Sequence, residues 1–460
     1  MLLIKASRKD FTWSFFAYGL SIGSNILVLP FILFFLPLNE VGLWFTFLSI
    51  AMLANLVDFG LSPSILRNTS YIWSGAEEIK SKGITSSFKK GKPNLKLLIN
   101  LVDISRKIYL LIAVFALVFI LSIGTLYVYK VASDINTSYL LLSWFIFSFG
   151  IFLNIAFNFW TPLLKGIGEI KHSQQSLVYS KLVFITISII LLYFSLGLIG
   201  VACAYTLSGF ILRLLSKFYF LKSLNKINLK LTSSILKKLD KNLFNKLWFN
   251  SWRLGVVSLG AYAILQSNIL LCSYFFGLEV TASYGLVIQI FAVISALSMT
   301  PYQTYLPEFN QALSFKDFHA AKRIIILSAR SCWLIYIITS MLIVLLLPQL
   351  ANKFMETNLL ISQSMLVFMS IYLFLETNHS MFSGFIASEN KIPFMKSAIL
   401  SGLGVIISSL ILINYTNLGI WSLLISPAIV QLIYNNWMWP LYIFKRYKFN
   451  IGNFLGTNNA

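Results

Sequence analysis

Long apolar runs separated by short polar connections recur along the whole chain. A helix needs about 20 apolar residues to cross the ~30 Å hydrocarbon core of a bilayer. Twelve runs are long enough, so the pattern predicts an all-α polytopic membrane protein with no stretch left over for a separate soluble domain. We place the spans near residues 11–36, 41–64, 107–129, 139–161, 176–195, 197–221, 247–276, 282–306, 329–347, 361–385, 394–413 and 419–444.

Composition agrees with a membrane protein, and the distribution of charge predicts its orientation in the membrane. Hydrophobic residues make up 58% of the chain and charged residues only 11%, against about 25% in an average soluble domain. The formal net charge is +21, and with twelve spans every Lys and Arg except Lys130 and Lys353 falls on the side of the two termini. The positive-inside rule therefore predicts cytoplasmic termini and a cytoplasmic segment 65–106. Since the basic residues border membrane spans, binding to nucleic acid is the weaker explanation of the charge.

Two segments half a chain apart resemble each other. "FLPLNEVGLWFTFLSIAMLANLVDFGLSP" (35–63) and "FFGLEVTASYGLVIQIFAVISALSMTPYQTYLP" (275–307) share an outer turn with a glutamate, a Gly-Leu pair and a proline near the inner end. Such a parallel repeat predicts two pseudo-symmetric six-helix bundles around a central cavity. The expected domains are an N-terminal bundle, a cytoplasmic amphipathic linker, for which a solvated linker is the alternative, and a C-terminal bundle: 1–225, 226–246 and 247–460.

Motifs of enzyme chemistry are missing from the sequence. It has no phosphate-binding loop, zinc-protease helix or nucleophile elbow, and the predicted outer connections are too short for a catalytic domain. The cysteines fall inside apolar spans, where a thiol behaves as a small hydrophobe. We therefore expect neither enzyme activity nor a metal or cofactor. The histidines and cysteines are scattered: His172, His319, His379, Cys203, Cys272 and Cys332.

The stretch "DFGLSPSILRNTSYIWSG" (58–75) interrupts the apolar pattern at the inner end of span 2. Asp58 and Gly60 mark the approach to the inner surface, and Pro63 permits a bent or ended helix where the backbone faces water or protein. We expect an inner-gate corner here. An ion pair of Asp58 with Arg67 or Arg253 is an alternative explanation of its charge.

Polar residues at membrane depth are the remaining candidates for function. A charge there costs at least ~2.5–3.5 kcal/mol on insertion scales, so it normally faces a bundle interior or an aqueous cavity. Snorkelling to the interface is the alternative for those near span ends, and helix-to-helix hydrogen bonding is the alternative for neutral amides. Tryptophans near the span ends are interpreted as interfacial belt residues: Trp44, Trp73, Trp160, Trp421, Trp437 and Trp439. The candidates are Asp58, Lys181, Arg213, Arg253, Glu376 and His379, with the neutral residues Asn25, Asn154 and Gln266.

The twelve spans in two halves, "VGLWFTFLSI" (41–50), the corner at 58–75 and the basic inner loop together resemble O-antigen flippases of the Wzx type. This is the polysaccharide-transport branch of the multidrug/oligosaccharidyl-lipid/polysaccharide exporter superfamily, which also holds multidrug exporters and the lipid II flippase. The resemblance implies a bacterial inner-membrane protein that moves an undecaprenyl-diphosphate-linked O-antigen unit from the cytoplasmic to the periplasmic leaflet by alternating access. It also implies an O-antigen polymerase and a chain-length regulator as partners.

Two other functions stay open from the sequence. A multidrug or cation exporter of the same superfamily is the first, although such a protein would want acidic residues deep in its N-terminal half, where Asp58 is nearly alone. An O-antigen polymerase is the second, and the short outer connections argue against it.

If the chain is a flippase, the chemistry and spacing of the candidates predict their roles. Arg253 is expected to bind the diphosphate, since a guanidinium can bind phosphate oxygens in bidentate fashion. The pair Glu376 and His379, three residues apart on one helix face, is expected to couple proton entry to the transport cycle. The alternative is that Glu376 only neutralises a cavity base such as Arg253 or Lys396. The expected substrate-binding residues are Arg253, Asn25, Asp58, Lys181, Arg213, Asn154 and Gln266.

Overall fold

The chain folds into helices joined by short connections. The computed structural model describes residues 8–78, 93–133, 135–225, 241–314, 317–354, 361–388 and 393–449. By their contacts the helices form two compact units, the first made of residues 1–40 and 47–259 and the second of residues 41–46 and 260–460.

The helices that belong mainly to the first unit follow one another with two short interruptions, a 3-10 turn at Leu56–Asp58 and a π-helical turn at Ile120–Gly124. They are α1 (Arg8–Phe35), α2 (Leu38–Asn55), α3 (Leu61–Trp73), α4 (Leu95–Phe119), α5 (Thr125–Val131), α6 (Thr137–Ala156), α7 (Trp160–Gly166), α8 (Ile170–Tyr193), α9 (Gly197–Asn225) and α10 (Lys241–Leu265).

The second unit contains the remaining helices. They are α11 (Ser267–Phe275), α12 (Leu278–Ser298), α13 (Thr300–Ser314), α14 (Phe318–Phe354), α15 (Gln363–Ser388), α16 (Met395–Tyr415), α17 (Trp421–Ile433) and α18 (Asn435–Arg446).

Each predicted span coincides with one of these helices or with two consecutive ones. In the described ranges, nine helical segments are long and apolar enough to cross a membrane, which confirms the all-α polytopic fold. Three predicted spans are not among the nine. In α1 only Gly23–Phe35 is described as an apolar helix, which is too short. In α15, Glu376, Asn378 and His379 make the middle polar, and α17 and α18 are each too short alone. The predicted linker 226–246 begins outside the described residues and ends within α10, so the domain limits stay a prediction.

Each unit has a core of interlocking apolar side chains. In the first unit, Ile65 of α3, Leu101 of α4, Leu163 of α7, Phe220 of α9 and Leu247 of α10 belong to one buried cluster. Because lipid tails are as apolar as leucine, close packing rather than removal from water holds membrane helices together. A cluster of the same kind in the second unit joins α13, α14, α15 and α18.

Candidate functional site

The backbone of the first unit breaks where the sequence predicts a corner. Helix α2 gives way to the turn Leu56–Asp58, Phe59 and Gly60 take left-handed φ values of 42° and 71°, and α3 then begins at Leu61. A non-glycine residue held in this region costs about 1–3 kcal/mol, and such residues cluster at functional sites. Pro63 stands in the first turn of α3, where its missing N–H breaks no helical bond. The predicted break in the helix is confirmed, and its place at an inner gate stays a prediction.

The carboxylate of Asp58 holds this break together. It accepts a hydrogen bond from the hydroxyl of Tyr109 on α4, and bonds of 3.2 Å and 3.1 Å from the backbone N–H and the hydroxyl of Ser62. The sequence had suggested an ion pair with Arg67 or Arg253. The structure instead gives Asp58 the role of a cap on the N-terminal end of α3, where a negative charge is stabilised by the helix dipole.

The break between α6 and α7 lies next to the break between α2 and α3. Asn158 lies in the turn between α6 and α7, and its side-chain amide donates to the hydroxyl of Ser62 over 3.2 Å. The Ser62 hydroxyl is also 3.0 Å from the Tyr109 hydroxyl. Two interrupted helices therefore meet through their polar side chains inside the first unit. In membrane transporters, irregular backbone at membrane depth is tolerated where protein or water covers it, and it marks binding sites.

Arg213 of α9 lies beside this cluster. Its Nη1 donates to the hydroxyl of Thr161 on α7 over 2.9 Å, while its Nε is buried and has no hydrogen-bond partner among the described residues. Asp58, Tyr109 and Tyr205 are the ionisable groups that interact with the guanidinium electrostatically. A buried donor without a partner is costly, so this N–H would be stabilised by an acceptor such as a phosphate oxygen once movement of the surrounding helices exposes it.

The other predicted substrate residues of the first unit occupy different positions. Arg253 lies half-buried on α10, with its guanidinium carbon 5.1 Å from the centre of the Trp252 ring. Lys181 of α8 and Asn25 of α1 are half-buried as well. Asn154 donates to the carbonyl of Gly150 one turn earlier, over 3.1 Å, and a Cβ at Gly209 would collide with its side chain, so it lies in the contact between α6 and α9.

In the second unit, Glu376 and His379 lie on one face of α15 as predicted. The Nδ1 atom of His379 is 3.4 Å from Oε2 of Glu376. The same oxygen accepts a hydrogen bond of 2.7 Å from the side-chain amide of Gln431 on α17. Gln266, the last predicted substrate residue, lies at the break between α10 and α11.

Asn435 and Ser401, which the sequence did not single out, and Trp439 extend this cluster. Asn435 donates to Gln431 over 2.7 Å and to the hydroxyl of Ser401 over 2.9 Å, and accepts from the indole of Trp439 over 3.0 Å. The interpretation as belt residues was wrong for Trp44, Trp160 and Trp439, which are 3%, 8% and 3% exposed, whereas Trp437 is 46% exposed. A polar residue every fourth position, from Gln431 to Asn435 to Trp439, is the signal that could have found the cluster.

Metal chemistry has no support in the described ranges, since they contain no group of three His, Cys, Asp or Glu side chains that could hold an ion. The arrangement instead offers two polar clusters inside apolar helical units, one with a spare cationic donor and one with a carboxylate beside a histidine.

This arrangement of apolar helices, broken helices and polar clusters is similar to that of several solved structures. The inward-facing conformation of a multidrug resistance MATE family transporter of the MOP superfamily matches with a TM-score of 0.64 and 16% identity, over 97% of this chain and 96% of that chain. Lipid II flippase MurJ in an inward closed conformation matches with a TM-score of 0.64 and 15% identity, over 98% of this chain and 90% of that chain.

A third match is the outward-facing conformation of a multidrug resistance MATE family transporter, with a TM-score of 0.57 and 16% identity over 97% of both chains. No protein-family profile and no curated protein sequence matches this chain. At such identities the likeness establishes the fold, which this chain shares with MATE transporters and MurJ over almost its full length.

Proposed function

We propose that this protein is a flippase that moves undecaprenyl-diphosphate-linked O-antigen oligosaccharide units from the cytoplasmic to the periplasmic leaflet. The observation that carries the proposal is the guanidinium of Arg213, whose buried Nε has no hydrogen-bond partner among the described residues. A diphosphate carries the acceptor oxygens and the negative charge that such a donor lacks.

The balance of embedded charge supports an anionic substrate. Lys181, Arg213 and Arg253 lie within predicted spans of the first unit, whereas Asp58 is already engaged by Tyr109 and Ser62. Charges at this depth are expensive and normally serve transport or pair with one another. In this proposal the cations bind the diphosphate, polar side chains contact the sugars, and the polyprenyl tail stays in the bilayer.

The proposal also covers the cellular location of the protein, its partners and the source of energy for transport. The chain is a transporter without enzyme activity, it resides in the bacterial inner membrane with cytoplasmic termini, and it works beside an O-antigen polymerase and a chain-length regulator. Glu376 and His379, 3.4 Å apart, couple proton binding to the transport cycle. The lipid II flippase MurJ has a similar fold, which supports a lipid-linked substrate here.

A multidrug or cation exporter is the second candidate. It is favoured by the fold shared with MATE transporters and by the carboxylate of Asp58 inside the first unit. Against it, that carboxylate already caps α3, which leaves the first unit with a cationic rather than an anionic spare group.

Lipid analysis of a strain that lacks this chain tests the proposal. Thin-layer chromatography should show accumulated lipid-linked oligosaccharide, and surface O-antigen should be lost. Arg213→Gln should fail to restore the surface polymer, Arg213→Lys should restore part of it, and Lys217→Gln, an exposed cation on the same helix, should restore it fully.

The competing functions predict other results. An exporter would leave the oligosaccharide pool unchanged and make the strain sensitive to drugs. A polymerase would let single units reach the surface without forming polymer. Either result contradicts flipping.

A further inference from the structure

A directional chain of hydrogen bonds ends on the carboxylate of Glu376. The indole N–H of Trp439 donates to Asn435, the amide of Asn435 donates to Gln431, and the amide of Gln431 donates to Glu376, over 3.0, 2.7 and 2.7 Å. Every donor in the chain points toward the carboxylate.

Chemistry at the two ends fixes this direction. An indole N–H can only donate, so the oxygen of Asn435 must face Trp439 and its NH₂ group must face Gln431. The oxygen of Gln431 then faces Asn435 and its NH₂ group faces Glu376. Reversing either amide would place two donors or two acceptors against each other. Hydrogen bonds aligned in one direction polarise and strengthen one another.

The chain is dry. Glu376, Gln431, Asn435 and Trp439 are 8%, 2%, 2% and 3% exposed. A carboxylate cut off from water needs donors from the protein, and here Gln431 supplies one that is itself supported from behind.

The hydrogen-bond chain from Trp439 to Glu376 also spans a break in the backbone between two helices. Helix α17 ends at Ile433 and α18 begins at Asn435, with Tyr434 between them at φ −142° and ψ −61°. Gln431 lies before this break, while Asn435 and Trp439 lie after it. The three side chains can line up only while the break keeps its geometry.

One proton can enter this arrangement beside Glu376. Nδ1 of His379 is buried, has no hydrogen-bond partner among the described residues, and is 3.4 Å from the carboxylate. When the pair holds a proton it is neutral overall, and when the proton leaves for water the pair carries one negative charge. Tyr372, also on α15, interacts electrostatically with Glu376, and Tyr336 of α14 and Tyr284 of α12 interact electrostatically with Tyr372. The groups of α17, α18 and α16 in this cluster are the neutral residues Gln431, Asn435, Trp439 and Ser401.

We propose that the donor chain from Trp439 to Glu376 stabilises the negative carboxylate and so ties proton release to the geometry of the break between α17 and α18. Gln431, Asn435 and Trp439 are positioning residues that act through Glu376. The inference rests on the coupling role proposed above for Glu376, but it does not depend on which substrate is carried.

Infrared difference spectroscopy on the purified full-length protein tests the chain without any substrate. The carbonyl stretch of a protonated carboxyl should appear as the pH falls, and Glu376→Gln should abolish that band. Gln431→Met removes the donor in contact with the carboxylate, and Trp439→Phe removes the donor at the far end.

Both variants should form the band at higher pH than the wild type. Because a hydrogen bond to a charged group is worth more than the equivalent of one pH unit, we expect a shift of about one unit for Gln431→Met and about half of that for Trp439→Phe. Trp437→Phe is the matched control, since its exposed indole donates to the carbonyl of Ile433 over 3.1 Å and lies off the chain. It should leave the titration unchanged.

The results separate the two proposals. A wild-type band that titrates at the same pH in Gln431→Met and Trp439→Phe overturns the donor chain and leaves Glu376 as a coupling residue. If no proton-dependent band, either of the carboxyl group or of the His379 ring, depends on Glu376 at any pH at which the protein stays folded, both the donor chain and the coupling role are wrong. Thermal unfolding of each variant shows whether it kept the native fold, and Trp439→Tyr, which retains a donor, should restore part of the shift if it is the donor that matters.

Discussion

Phe59 and Gly255 are in direct contact, and this contact requires that residue 255 have no side chain. A Cβ built on Gly255 would lie 2.6 Å from the Cα of Phe59, closer than real Cβ atoms approach a backbone. Phe59 cannot easily move away, because its left-handed backbone is fixed by the turn between α2 and α3. The first unit therefore depends on this glycine of α10.

Gly255→Ala should destabilise the protein by about 1–3 kcal/mol, the usual cost of overpacking. Gly19→Ala is the matched control, since a Cβ there meets nothing within 4 Å. Thermal unfolding in detergent, followed by fluorescence-detected size exclusion, measures both. If the two variants unfold at the same temperature, the contact does not constrain the break.

Tyr109→Phe should destabilise the same break between α2 and α3 by removing a hydrogen bond to Asp58. The variant removes one donor to Asp58 and leaves the two bonds from Ser62 in place. Hydrogen bonds to charged groups contribute roughly 1.5–3 kcal/mol, so we expect a lower unfolding temperature without loss of the fold. Tyr71→Phe, on α3 but away from Asp58, serves as the control. A Tyr109→Phe protein as stable as the wild type would show that Ser62 alone holds the carboxylate.

The positions of the helices could be predicted from the sequence. The contacts of their polar side chains could be predicted only in part. Apolar runs fix the helices because a bilayer sets their length, and Asp58, Gly60 and Pro63 revealed one break because these residues disfavour a continuous helix. The predicted face shared by Glu376 and His379 was also confirmed, since three residues make almost one helical turn.

Partners on other helices could not be read from the sequence. Tyr109 is 51 positions from Asp58, and Gln431 is 55 positions from Glu376, and no spacing rule connects residues so far apart. Trp439 was misread for a related reason. Tryptophan near the end of a span suits the membrane interface, and only packing shows that this one turns inward to Asn435.

Cysteine labelling tests the predicted orientation. A cysteine at Lys90, in a stretch outside the described residues, should react with a membrane-impermeant maleimide only after the cells are opened. A cysteine at Thr416, which is exposed at the end of α16, should react in intact cells. The unaltered chain, with Cys203, Cys272 and Cys332 inside helices, gives the background. Labelling of position 90 in intact cells would show that this segment lies outside, and the predicted topology would be wrong.

Arg253 tests whether a second cation serves the diphosphate. If its guanidinium binds phosphate oxygens in bidentate fashion, Arg253→Ala should lose most O-antigen display and Arg253→Lys should keep part of it, since lysine acts as a point charge. Lys246→Ala on the same helix is the control. Equal display by Arg253→Ala at matched protein level would remove Arg253 from the site and leave it as a partner of the Trp252 ring, 5.1 Å away.

Glu376→Gln tests proton coupling. Glutamine keeps the shape of the side chain and an oxygen that can accept from Gln431, 2.7 Å away in the wild type, but it cannot ionise. The variant should fold, insert and bind substrate. In vesicles with an imposed pH gradient, transport of lipid-linked oligosaccharide by the wild type should change with the gradient, and transport by Glu376→Gln should not. Glu308→Gln removes an exposed carboxylate of α13 in the same unit and should behave like the wild type. If Glu376→Gln keeps the full gradient dependence, the carboxylate is a structural acceptor for Gln431, and the proton that drives transport binds elsewhere.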